Sequence, residues 1–391
     1  MELTIKILPE IMSISHDLEE IYKDLHANPE LGFEEERTSK IIQKKLKEYG
    51  VDEIHAGLGT TGVVAVIHGN KGKKKKKVGL RADIDALPIQ ETTELPFASK
   101  IPNKMHACGH DGHTTMLLGA AKYLASKRSF SGSAVLIFQP AEEGLGGADK
   151  MIKDGLFRRF PCDEIYGIHN TPNGNFGQIG ICKGVAMAGA AFFDITVVGK
   201  GSHAAMPQQS KDPIVISSNL VSQLQSVVSR TISPLDSVVL SVTKIRSGSA
   251  YNVIPETCSL SGTIRYFSEK IYSGIETQIQ KICRGLEVSN DITINLNIRK
   301  VFDVLINDSE LSDYYMNTAE KVVGQNLVDR NLSPVTGSED FADMLKHTRG
   351  AYCRIGHSGT QPLHSPNFVF DMKIIPVGAS VLALLAEDRL S

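Results

Sequence analysis

No apolar run in this 391-residue chain reaches the roughly 18 residues that span a bilayer, which excludes a membrane-spanning helix of ordinary length. The N-terminal stretch MELTIKILPEIMSISHDLEE lacks a basic start, an apolar centre and a small-residue cleavage site, so it does not read as a secretion signal. Nor is there a charge excess: 42 Lys and Arg face 44 Asp and Glu, a net charge of -2. A dedicated nucleic-acid binder would carry a basic surplus to neutralise phosphates. The six cysteines form no CxxC pair, which argues for reduced thiols over a disulfide framework. No repeat of 20 to 50 residues is present, which excludes solenoids and propellers. What remains is a cytoplasmic protein that binds neither membrane nor nucleic acid. Its 41% apolar and 22% charged residues suffice for real cores.

At roughly 150 residues per domain the length suggests two or three domains. Helical and strand patterns alternate through the first half. Ser15 reads as the cap of a helix to about Leu25, and 35–49 as a second helix stopped by Gly50. Short apolar runs at 62–68, 78–82, 133–138 and 164–168, with helical stretches at 112–126 and 146–153, predict an α/β domain around a buried sheet. From about Val185 the pattern changes. Strands are expected at 191–199, 237–246, 257–267 and 292–300, and helices at 268–285 and from Asp212-Pro213 to Arg230. That order, βαββαβ, is the ferredoxin-like arrangement. It reads as a domain of residues 187–300 inserted into one made of 1–186 and 301–391, which resumes through a helix at 374–388.

Three motifs point away from function. Gly57-Leu-Gly-Thr-Thr-Gly62 fits GxGxxG but runs into a strand pattern rather than a helix, so it reads as a hairpin turn. Gly356-His-Ser-Gly359 lacks the last glycine of a serine nucleophile elbow, which leaves a serine hydrolase as the lesser alternative. The run Lys73–Lys77 reads as a solvated hairpin loop.

The chemistry concentrates in Met105-His-Ala-Cys-Gly-His-Asp-Gly-His-Thr114, where His106, Cys108, His110, Asp111 and His113 are all potential metal ligands. Glu142 and Glu143 follow the strand 133–138 directly, where open α/β sheets place their ligand crevice. Neighbouring side chains diverge, so one carboxylate can bind a cation while the other faces substrate. His169 ends another strand, and His364 is a further candidate. Cys, His and Glu suit Zn, Mn, Co or Ni rather than Mg or Ca. Five ligands suit two metals sharing one of them, and two metals with a spare carboxylate are the apparatus of hydrolysis.

The segments MHACGHDGHTT, FQPAEEGLGGA, GKGSHAAMP and GSEDFA, with HANPELGFEE and GLRADIDALP, closely resemble the hippurate hydrolase and indole-acetyl-amino-acid hydrolase branch of the metal-dependent aminoacylase/carboxypeptidase family. The resemblance runs in order over essentially the whole chain. It implies a metallopeptidase-type α/β catalytic domain with an inserted ferredoxin-like βαββαβ lid domain that forms a homodimer, which can pair further into a tetramer. It implies two divalent ions per subunit on Cys108, His110, Glu143, His169 and His364, with Glu142 as general base. His203 would stabilise the oxyanion in the partner's site, and Asn252 and Arg265 would bind substrate, Arg265 by gripping the substrate's carboxylate. Gln208 and Tyr22-Lys23 stand where many relatives carry a histidine and an arginine. Glu339 and Asp340 would orient a ligand or open a helix.

The implied reaction is amide hydrolysis of N-acyl amino acids, N-benzoylglycine among them, to a carboxylic acid and an amino acid. A dipeptidase or an N-acetyl-diaminopimelate-type deacetylase would use the same metal chemistry. A binding protein that keeps the fold without turnover is the contrasting class.

Overall fold

The computed structural model describes residues 5–72 and 75–391, so Lys73 and Lys74 of the basic run lie outside the described residues. The chain divides into two compact units, one of Met1–Ala186, Ile306–Pro334 and Asp340–Ser391, the other of Met187–Leu305 and Val335–Glu339.

The first unit is built on an eight-stranded sheet. Its strand order is Glu53–Leu58, Gly62–His68, Ser133–Gln139, Lys77–Asp83, Glu164–Thr171, Arg349–Gly356, Ile179–Gly180 and Val328–Asp329. The four central strands, Ser133–Gln139, Lys77–Asp83, Glu164–Thr171 and Arg349–Gly356, run parallel. Leu80 sits between Leu136 and Tyr166, and Ile168 opposite Cys353. Burial on both faces demands a continuous apolar run rather than alternation, and every residue of Ser133–Gln139 is buried. Helices His110–Lys127 and Ile375–Leu390 pack on each other and on the strand Lys77–Asp83. Ile375–Leu390 is buried almost all round, which explains its lack of a polar face.

Gly57–Gly62 is the expected hairpin: Leu58 pairs with Gly62 across a turn in which Thr60 takes a φ of 79°. One cap is corrected. Ser15 is the first helical residue of Ser15–Ala27, Ile14 holds the cap position, and no side chain caps that end.

In the second unit a four-stranded antiparallel sheet has the order Val238–Ser247, Thr257–Tyr266, Gly189–Val198, Thr293–Phe302. Numbered within the unit this is 2-3-1-4, and with helices Pro213–Ser226 and Glu269–Asn290 it completes the ferredoxin-like βαββαβ. Period-two burial along Thr257–Tyr266 puts Cys258, Leu260, Ile264 and Tyr266 inside. Gly262 leaves room for the Phe193 ring, whose Cζ would lie 2.2 Å from an added Cβ. Asp212 caps the first helix by accepting from the Ile214 N–H at 2.9 Å. The α-helix stops at Ser226 and continues to Thr231 as one wider π turn.

Candidate metal centre and active site

All five expected ligands and Glu142 belong to the first unit, and its topology brings them together at the carboxyl ends of the parallel strands. His110 is the first residue of helix His110–Lys127, turned in by Gly109 at a φ of 87°. An added Cβ there would lie 2.4 Å from Asn170 Nδ2, so this position requires glycine twice over. Glu142 and Glu143 follow Ser133–Gln139, and His169 lies in Glu164–Thr171. His364 arrives from a late loop in a left-handed conformation, φ 65°, fixed by its N–H donating to the Ala107 carbonyl at 2.8 Å.

Cys108 Sγ lies 3.4 Å from His169 Nε2, and His364 Nε2 lies 3.2 Å from Glu143 Oε1. Candidate ligand atoms lie within 4.8 Å of one another in three overlapping groups: Cys108, His110 and His169; Cys108, Glu143 and His364; His110, Glu142 and Glu143. The imidazoles are aimed by their other nitrogens. His110 Nδ1 meets the Asp85 carbonyl at 3.0 Å and its carboxylate at 3.1 Å, and His169 Nδ1 bonds the Asn170 carbonyl at 2.7 Å. Each is thereby fixed as an Nδ1–H donor that turns an Nε2 lone pair inward.

The donor set fits a divalent metal on two observations. His110 Nε2 is fully buried without a hydrogen-bond partner, and a buried polar atom is costly unless something occupies its lone pair. Moreover, protons crowd among donors that a cation would otherwise neutralise. Bonds to Cys108 and Glu143 push the His364 imidazole up to about 10, while burial and the Glu143 carboxylate push the Cys108 thiol up.

Three other side chains of the 105–114 segment are engaged elsewhere or left without a partner, although His113 with Asp83 and His110 forms a further group within 4.8 Å. His113 is tied at both ends, Nδ1 to Asp83 Oδ1 at 2.7 Å and Nε2 accepting from the Asn170 N–H at 2.9 Å. Asp111 turns away to His26 Nδ1 at 2.6 Å. His106 is buried without a hydrogen bond, and burial holds its imidazole down near 4.

Several supporting residues carried no sequence assignment. Asp85 orients His110 through Oδ1 and accepts the Glu143 N–H at 3.0 Å through Oδ2, joining two ligand segments. Asn170 donates to the Cys108 carbonyl at 2.5 Å and meets His357 Nε2 at 3.1 Å. Asp83 and Asp85 end a parallel strand just as Glu142 and Glu143 do, so the same strand-end rule would have flagged them. Asp340 holds the position that opens the helix Phe341–Leu345, without a side-chain cap bond. Buried, it accepts from Gln139 Nε2 at 2.7 Å and the Ala148 N–H at 2.9 Å, pinning both ends of the 140–147 loop. Ser358 bonds the Phe176 N–H at 2.8 Å, a loop contact rather than a nucleophile's setting.

His203, Asn252 and Arg265 lie in the second unit. His203 pairs with Val253 in a two-stranded ribbon, and the Ala204 N–H donates to the Asn252 carbonyl at 3.0 Å, so His203 and Asn252 are neighbours and exposed. Arg265 lies near the far end of Thr257–Tyr266, opposite Ala190 and Val239. It borders a 290 Å³ cavity with Asp236 and Phe267, and its guanidinium lies 5.9 Å from the centre of the Phe192 ring.

Comparison with known proteins bears on this site. The sequence pattern of the peptidase family M20/M25/M40 matches residues 79–388. The hippurate hydrolase of Campylobacter jejuni is 43% identical over 380 residues, 97% of this chain and 98% of that one. The Arabidopsis thaliana IAA-amino acid hydrolase ILR1-like 4 is 38% identical, covering 95% of this chain and 85% of its own. A crystal structure from Bacillus subtilis, described as a dinuclear metal-binding peptidase, matches with a TM-score of 0.82 at 32% identity, over 97% of this chain and 99% of that one.

Proposed function

Since the chain belongs to the peptidase family M20/M25/M40, we infer that it hydrolyses the amide bond of N-acyl amino acids, hippurate-like compounds among them, in a metal-dependent reaction. The observation that carries this reading is that Cys108, His110, Glu143, His169 and His364 fall in overlapping groups within ligand reach of one another, with a further carboxylate, Glu142, beside His110 and Glu143. Those five would hold two divalent ions, of zinc, manganese, cobalt or nickel. Bound there, such ions polarise a carbonyl and lower the pKa of water.

The remaining steps belong to the chain's own groups. Glu142, 6% exposed at the site's edge, takes the proton from the attacking water and returns it to the leaving amine. Asp85 and Asn170 keep the ligand segments in register. Arg265 grips the substrate carboxylate, with Asn252 as a further substrate contact and His203 as donor to the oxyanion. Eight residues separate Thr257, beside the His203 ribbon, from Arg265, roughly 26 Å of strand. One copy of this unit therefore cannot close both ends on one small substrate. A homodimer in which the partner supplies His203 and Asn252 meets that requirement.

Purified protein loaded in turn with each metal and assayed for glycine release from hippurate tests the reading. Indole-acetyl and N-acetyl amino acids form the comparison panel. Metal-dependent release of glycine is expected, abolished by chelation and restored by metal. Turnover of dipeptides or N-acetyl substrates alone would replace the acyl assignment, and no turnover with metal bound would favour a binding protein.

A further inference from the structure

Glu35, in the HANPELGFEE segment, has no part in the chemistry described so far, yet it is fully buried against the loop that carries Glu142. Its Oε1 accepts the Ala141 N–H at 2.9 Å, and its Oε2 accepts the Thr61 hydroxyl at 2.5 Å. Ala141, immediately before Glu142, has a φ of 53°, a left-handed conformation that a Cβ disfavours. Such a conformation persists only where its surroundings over-determine it. Here the Glu35 carboxylate holds the amide, and the Ala141 carbonyl accepts from the Gly147 N–H at 3.0 Å. Glu35 is itself anchored. Its segment is stitched to the strand-end residues by the Ala86 N–H, which donates to the Glu30 carbonyl at 2.8 Å, and by the bridge between Leu31 and Ala86. Gly32 brings that segment so close that an added Cβ would lie 3.0 Å from Ala141 Cα.

We propose that Glu35 is a positioning residue for catalysis, its buried carboxylate holding the Ala141 amide and with it the left-handed turn that presents Glu142 to the substrate. The proposal rests on the reading of Glu142 as general base. Glu143 does not depend on it, because the Glu143 N–H is held separately by Asp85. Loss of Glu35 therefore acts on the base and spares the metal ligand. Burial pushes the Glu35 carboxyl up to about 7 against the hydrogen bonds that lower it, so a neutral carboxamide suits the site. Gln at this position can still accept from Ala141 and donate to Thr61.

The test compares kcat, KM and metal content in wild type, Glu35→Ala, Glu35→Gln, Glu142→Gln and the double variant Glu35→Ala/Glu142→Gln. Glu35→Ala should lose about ten- to a hundredfold in kcat, the scale of a misplaced catalytic group, with KM and metal content unchanged. Glu35→Gln should stay near wild type. In the Glu142→Gln background Glu35→Ala should cost nothing more. Ala141→Gly, which takes the left-handed turn without a Cβ, should recover part of the Glu35→Ala loss. If Glu35→Ala does not fold, Glu35→Leu carries the same expectation, since it fills the space without accepting a bond. Wild-type kcat in the variant, a change confined to KM, or a loss that persists in full without Glu142 would overturn the proposal. Full activity in Glu142→Gln alone would overturn the base assignment, and this proposal with it.

Discussion

Asp85 shows how much of a site can rest on one carboxylate, for its two oxygens orient His110 and hold the Glu143 backbone. Residue-level roles here follow from which atoms are already engaged. Glu142→Gln should keep its metal and lose about a hundredfold or more in kcat, as removal of a general base does. Glu143→Gln and Cys108→Ala should instead lose bound metal while the circular dichroism spectrum stays near wild type. Metal analysis beside kcat separates the two, and exchanged phenotypes for the glutamates would reverse the assignment. The sequence showed the cluster but not its selection. Five side chains from His106 to His113 were chemically eligible, and for two of them hydrogen bonding to distant residues shows where the side chain is engaged instead. His113 is consumed by Asp83 and Asn170, and Asp111 by His26, partners 30 to 85 positions away that local spacing cannot reveal. Tyr22, one of the departures from the family pattern, is fully buried in an aromatic group with His26, Phe97 and Phe370.

Between elements, the same His26 ties helix Ser15–Ala27 to the start of helix His110–Lys127 through Asp111, with Glu91 on its other nitrogen at 3.3 Å. Burial alone would lower this imidazole, but the bonds to Asp111 and Glu91 outweigh it and push it up to about 9. A histidine whose pKa is raised on folding gives stability that is complete below its unfolded value, near 6.5, and lost as pH rises through about 9. Thermal unfolding at fixed metal concentration should show a fall in Tm between those pH values that is shallower in His26→Gln. An equal slope in both would remove His26 as its cause. Elements were the most legible level of the sequence. Continuous apolar runs gave three of the four central strands to within a residue or two at most ends, because burial on both faces leaves no other composition, whereas Arg349–Gly356 carried no expectation. Ends set by backbone geometry were not legible: Ile14 rather than Ser15 at a cap, and a π turn extending the helix begun by Asp212.

For the whole molecule, the βαββαβ order was readable because the hydrophobic period switches cleanly after Val185, whereas its strand order needed the pairing itself. Assembly leaves no comparable trace in sequence. The proposed dimer predicts complementation: His203→Ala and Glu142→Gln, each nearly inactive alone, should regain activity when their subunits are mixed and allowed to exchange. Half of the sites in a heterodimer would carry both defects and half neither, so activity should return towards half of wild type per heterodimer. Loss of one oxyanion donor costs about 10² to 10³ in kcat, which leaves a low background for the measurement. Exchange without recovery would place His203 in its own chain's site or outside catalysis.

The first and last strands of the second unit's four-stranded sheet, Gly189–Val198 and Thr293–Phe302, are adjacent partners, with Ala190 opposite Phe302. That unit's main sheet is therefore finished once Phe302 has been made. The first unit must wait: Arg349–Gly356 pairs with Glu164–Thr171 across a separation of about 185 residues, and His364 comes later still. During synthesis, which proceeds from the N-terminus, the inserted segment can settle while the flanking sheet still lacks a central strand. A ribosome-bound chain short of His364 would lack a proposed ligand, so the full set of proposed ligands is present only once the chain has been made past that residue.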